Sequence, residues 1–146
     1  MAYRNALSTY RETRIKTASQ GQLIIMLYSE AVRQLDQALG FMELNDSGKR
    51  DPSRIELIGK SVVKTQEIVS ELMVSLDFEQ GGDIAKNLFA LYTWFNRELM
   101  EANINQDTKR ICAVRNHLDG LRSTWQEVIA TNAVETREIV GVNIAG

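Results

Sequence analysis

One proline, one cysteine and one histidine are all that the 146 residues of this chain contain. Each scarcity removes a class of answer. Proline interrupts helices and marks turns, so its rarity implies long helices. Cys112 has no second thiol to pair with, which excludes an internal disulfide; it fits a reducing compartment and a buried or half-buried thiol within a helical pattern. His117 cannot build a metal site by itself. Zinc needs several His or Cys ligands, a c-type haem needs C-x-x-C-H, and a ferritin-like di-iron site needs E-x-x-H on two helices, where Val114 stands three residues before His117. No metal and no cofactor is expected.

Catalytic constellations are equally thin. His117 adjoins an expected core position, Leu118, and reads as a core flank or a solvent-facing residue. Glu98 and Glu101 lie three apart beside Arg97 and read as a solvated charged face rather than as a paired-carboxylate site. Gly81-Gly82 has no strand before it and no Lys-Ser/Thr after it, so it is not a phosphate-binding loop. The chain is therefore not read as an enzyme.

Charge and hydropathy exclude two more classes. The formal net charge is −2, and the paired bases are confined to Lys49-Arg50 and Lys109-Arg110. A nucleic-acid binder needs clustered Lys and Arg to neutralise phosphates, and none is expected as a partner. No apolar run approaches the ~18 residues that span a bilayer. The opening MAYRNALSTYRETRIK has no apolar stretch behind its positive charges, as a secretory signal would. The expected location is the cytoplasm, without membrane insertion.

What is present is helical periodicity. A chain of this length folds as one domain and buries roughly two-thirds of the surface it exposes when unfolded. Residues 1–16 carry Tyr3, Leu7, Tyr10 and Ile15 among polar neighbours, too weakly apolar to be stable alone. They fray, as termini do, or dock onto something apolar. Ser19-Gln20-Gly21-Gln22 has the form of a capping box and opens a first helix, with Ile24, Tyr28, Ala31, Leu35, Ala38 and Met42 as its inner stripe. Asn45 to Arg50 reads as a loop. Asp51-Pro52 then places an N-cap before a first-turn proline. The second helix follows with Ile55, Ile58, Val62, Thr65, Val69, Leu72 and Leu76 in three-four alternation, and Phe78 to Gly82 is expected to end it.

The third helix centres on Leu88 to Phe95, eight residues without a charge and apolar or aromatic round the whole circumference. Its expected inner stripe is Ile84, Leu88, Leu91, Phe95 and Ala102. Asp107 caps a fourth helix lined by Ile111, Val114, Leu118, Leu121, Trp125 and Val128. The expected architecture is all-α: an antiparallel up-down-up-down four-helix bundle over residues 17–131, with 1–16 as a short helical or extended segment docked on it and 132–146 as a mobile tail, all in one domain.

Such a core takes about three of every seven positions, and several apolar residues are left over. They are Phe89, Tyr92, Trp94, Leu99 and Met100 on the third helix, Ile25, Val32 and Leu39 on the first, and Val63, Ile68 and Met73 on the second. Two readings stay open. They thicken the core from flanking positions, or they form a surface that takes an amphipathic segment of another protein.

Four stretches, taken in this order, resemble the flagellin-specific export chaperones of bacterial flagella, the FliS family. They are Thr17-Ala18-Ser19 leading through Gln22-Leu23-Ile24-Ile25-Met26-Leu27-Tyr28; Leu76-Asp77 with Gly81-Gly82-Asp83-Ile84-Ala85-Lys86-Asn87-Leu88 through Leu91-Tyr92; Glu101-Ala102-Asn103 with Asp107; and Leu121-Arg122-Ser123-Thr124-Trp125. Gln20 and Glu30 depart from the proline and glycine usual there. The resemblance implies a non-enzymatic cytosolic chaperone, monomeric or weakly dimeric when free. It implies binding of the disordered C-terminal segment of flagellin in hydrophobic grooves, prevention of premature polymerisation and support of type III export, with the export gate as a further partner. It also gives the N-terminal segment the role of a plug displaced by flagellin. The expected contact residues are Leu7, Tyr10, Ile25, Val32, Val63, Phe89, Tyr92, Leu99, Met100 and Asn103. A helical-bundle adaptor or regulator that binds a segment of a different protein is the alternative.

Overall fold

A computed structural model of the protein describes the backbone of residues 20–140 and the side chains of residues 20–131. Four helices make it up: α1 (Gln20–Ser47), α2 (Pro52–Val74), α3 (Phe78–Asn105) and α4 (Thr108–Val140). No strand occurs among the described residues, so the all-α four-helix expectation holds. The links are too short to do other than turn each helix back on the one before. Side-chain pairs show the reversal. Thr108 meets Met42 and Arg115 meets Asp36 at 2.9 Å, so the start of α4 lies against the end of α1. Arg110 reaches Glu98 of α3 at 2.8 Å, and Asn96 of α3 bonds both Gln66 and Ser70 of α2. Each helix packs on the next, and α4 returns to α1 to close the ring.

Local chemistry explains the helix ends. Asp51 caps α2 by accepting the Ser53 amide, with Pro52 in the first turn, as its position predicts. The α2–α3 junction differs from expectation. The second helix stops at Val74, and Phe78 to Gly81 form the opening turn of α3 rather than the tail of α2. Asp77 is the reason: its carboxylate accepts the amides of Glu79 and Gln80, which a helix start leaves without partners. Gly82 then breaks the helical path at φ 51° and ψ −125°, a conformation that a Cβ disfavours. Gln106 takes the left-handed C-cap position, and Asp107 accepts the amides of Lys109 and Arg110. Beyond residue 131, where a tail was expected to begin shortly afterwards, the backbone of α4 stays helical to Val140.

The core corrects the third stripe. Ala85, Tyr92, Phe95, Leu99 and Ala102 are the buried positions of α3, with Leu88 half-buried among them. This seam alternates three and four throughout. Ile84, expected inside, is 71% exposed, and Leu91 is half-buried. The periodicity of α3 contained the answer: one heptad from Ala102 back gives Phe95, and the position four after Phe95 has to be Leu99 because Glu98 is charged. A heptad earlier again lie Tyr92 and Ala85. Two residues expected in surplus elsewhere, Val32 and Ile68, also belong to the core cluster. Val128, expected inside, is exposed. So is Cys112, expected buried or half-buried; it follows the core residue Ile111 and is turned about 100° away from it.

Candidate functional site

The bundle is loosest at the end where α1 begins, α2 finishes, α3 begins and the far part of α4 arrives. Four helix ends must splay there to accommodate the Asp77 cap and the break at Gly82. They leave a cavity of about 220 Å³ lined by Ile24, Leu72, Ser75, Leu76, Asp77, Gly81, Ile84, Ala85, Leu88, Tyr92 and Trp125. Its walls are mostly aliphatic. Gly81 stands close enough to Ala85 that an added Cβ would lie 2.9 Å from the alanine methyl, so this wall cannot take a larger residue without shifting. Nearby on α3, Phe78 and Phe89 are both exposed and meet edge to face with ring centroids 5.9 Å apart.

One polar feature sits in this apolar setting. The hydroxyls of Tyr28 and Tyr92 are hydrogen-bonded to each other in the core, and the Trp125 indole also bonds Tyr28. Burial raises the pKa of both phenols, and for Tyr92 the neighbouring Tyr28 adds to it. Both remain protonated in the physiological range, so the pair acts as a hydrogen-bonding element and not as an acid or base. The two other polar side chains at the cavity are spent locally. Asp77 caps α3, and the Ser75 hydroxyl donates to the Leu72 carbonyl at 2.7 Å.

Two open grooves flank the bundle. One, between α3 and α4, has Leu91, Ala113, Asn116, His117, Gly120, Leu121 and Thr124 along it and a volume of about 620 Å³. His117 faces the Trp94 ring edge-on at 5.5 Å, which accounts for the only histidine as a packing residue at this seam. The other groove runs between α1 and α4 past Leu39, Glu43 and Cys112. Among the described residues no three His, Cys, Asp or Glu side chains are grouped to hold a metal ion, and no helix is long and apolar enough to cross a membrane.

The residues expected to contact a partner scatter. Leu7 and Tyr10 lie outside the described residues. Val32, Tyr92 and Leu99 were expected on the surface; that placement is corrected, since all three are buried in the core cluster. Tyr92 nonetheless presents an edge to the cavity. Ile25 is half-buried, and Val63, Phe89 and Met100 are exposed. Asn103 is half-buried, its amide lying against Gly59 of α2, where the missing side chain makes room for it. Sequence reading did not group Ile24, Leu76, Ile84, Leu88 and Trp125 as one site. The pointer it had was the Gly81-Gly82 pair, whose break opens the cavity wall.

A family model described as "Flagellar protein FliS" matches residues 3–132, nearly the whole of the bundle and the segment before it. The chain belongs to the FliS family. Among its relatives, the flagellar secretion chaperone FliS of Bacillus subtilis is 26% identical over 129 residues, 88% of this chain and 90% of that protein. The protein of that name from Salmonella typhimurium is 32% identical over 118 residues, covering 80% and 82%. That of Escherichia coli is 31% identical over 117 residues, covering 80% of each. FliS is a family of chaperones and not of enzymes. The FliS match takes in Leu7 and Tyr10 as well as every residue that lines the cavity.

Proposed function

We propose that this chain is a cytosolic export chaperone that binds the C-terminal segment of flagellin, prevents its premature polymerisation and supports its delivery to the flagellar type III export gate. The observation that carries the reading is the apolar cavity at the splayed end of the bundle, with exposed Ile84, Phe78 and Phe89 beside it. A soluble bundle rarely leaves so much apolar surface open without a use for it. Covering it stabilises a complex by about 25 cal/mol per Å² of apolar area. Ordering a disordered segment offsets much of that gain. The result is binding tight enough to sequester the segment and weak enough to release it.

The same cavity gives the N-terminal segment its proposed role. Helix α1 starts at Gln20, about one turn before the cavity residue Ile24, so the chain enters the bundle at this end. Leu7 and Tyr10 are read as plug residues that occupy apolar surface until flagellin replaces them. Co-expression with flagellin tests the assignment. Full-length flagellin should co-purify in an equimolar complex that survives gel filtration and is lost when the C-terminal segment of flagellin is deleted. A complex indifferent to that deletion would refute the binding mode, and no complex at all would favour an adaptor of another protein.

A further inference from the structure

We infer that the Tyr28–Tyr92 hydroxyl pair is a specificity element of the cavity, donating a hydrogen bond to a main-chain carbonyl of the segment that fills it. The inference rests on the reading of the cavity as a peptide site. A count of protons carries it. Two bonded hydroxyls bring two protons and use one between them. The Trp125 indole bonds Tyr28, and an indole N–H only donates, so it absorbs neither proton. Whichever phenol donates across the pair, one O–H is left without an acceptor.

That donor has no other outlet on the protein. Tyr28 is 0% exposed and Tyr92 2%, so bulk water does not reach the pair, while Tyr92 borders the cavity. The aliphatic walls accept nothing. Asp77 is held by the amides of Glu79 and Gln80, and Ser75 is turned to the Leu72 carbonyl. A buried donor left unsatisfied is costly. A water molecule meets the need while the cavity is open, and an occupant that displaces it has to bring an acceptor of its own. A carboxylate would carry an uncompensated charge into apolar surroundings. A peptide carbonyl costs far less, and one left without an intrahelical partner at the end of a helix is in need of a donor. The pair therefore selects a segment that seats an apolar side chain and a free carbonyl together.

The test compares the wild type with Tyr28→Phe/Tyr92→Phe and with Leu88→Ala, a wall variant, using the flagellin C-terminal segment as a synthetic peptide. Calorimetry reads affinity, and thermal unfolding reads stability. Replacing both phenols removes both ends of the bond and leaves the shape, so melting should stay close to wild type while affinity falls about three- to tenfold. A scan that converts peptide carbonyls of the segment to thioamides one at a time should find one position whose effect on wild-type binding disappears in the double variant. Wild-type affinity in the double variant, or no position that couples to it, overturns the inference. If Leu88→Ala still weakens binding in that case, the peptide site stands without its carbonyl reader. If neither variant changes binding, or the segment does not bind at all, the cavity assignment falls as well. Should the double variant fail to fold, Tyr92→Phe alone is judged by the same coupling.

Discussion

Leu99 and Met100 are neighbours in sequence that both read as surplus apolar surface, and the fold separates them. Leu99 is 0% exposed and belongs to the α3 seam, whereas Met100 is 49% exposed. Truncating Leu99 to Ala removes buried methyl groups from a packed core, and such changes cost about 3 kcal/mol, within a range of roughly 2–5. For a domain of this size that corresponds to a fall in melting temperature of about 10 °C. With a total stability of about 5–15 kcal/mol, the variant still populates the folded state at 97% or more by an order-of-magnitude count. Apparent affinity scales with the competent fraction, so flagellin-segment binding at 25 °C should be unchanged within error. Met100→Ala has the opposite expected signature. Stability moves by no more than about 0.5 kcal/mol, and affinity falls about fivefold if the side chain packs on the segment. Urea unfolding monitored by Trp94 and Trp125 fluorescence, with calorimetric titration of each variant, reads both quantities. A Leu99→Ala protein that melts as the wild type does and binds less well would refute the burial argument for α3.

Other outcomes follow from single features. The Ser53 hydroxyl and then the Ser53 amide bond the Asp51 carboxylate and hold its pKa below the ordinary aspartate value. Its cap on α2 should therefore be at full strength at neutral pH and fade as pH falls through that depressed value; Asp51→Asn should remove this part of the acid dependence in urea unfolding while keeping the cap. Gly82→Ala places a Cβ at φ 51° and should destabilise by about 1–2 kcal/mol. Gly40→Ala, on an open helical surface with nothing near the new Cβ, should stabilise by about 0.5–1 kcal/mol. Exposed Cys112 should react completely with a water-soluble thiol reagent in the native protein. Protection until denaturant is added would contradict its placement. Tyr10→Ala should alter flagellin affinity more than melting temperature, and a large fall in melting with unchanged binding would refute the plug.

The helices were legible in the chain because their signals act within a turn. Asp51-Pro52 starts α2, Asp107 starts α4, and scarce proline leaves long helices between them. The junction at Asp77 was legible too in principle, but two glycines drew attention to the wrong side of it. The cap at Asp77 outweighs the breaker at Gly82, since it satisfies two amides at once while a glycine merely permits a bend. Most of the α4 stripe and most of the α1 stripe followed from periodicity. The stripe of α3 did not, because Leu88 to Phe95 is apolar on every side and local preference is the same for several rotations of the helix about its axis.

By itself, then, the order of residues determined how many helices form, nearly where each starts, and that the chain resembles FliS, since caps, periodicity and motifs are all written along one dimension. Only the tertiary structure decided which side of α3 faces inward, since that rotation is chosen by the shapes of α2 and α4 against it. It also decided that Tyr28, Leu72, Ile84 and Trp125 meet around one cavity. Residues so far apart in sequence become neighbours through the packing of four helix ends, which no local preference encodes.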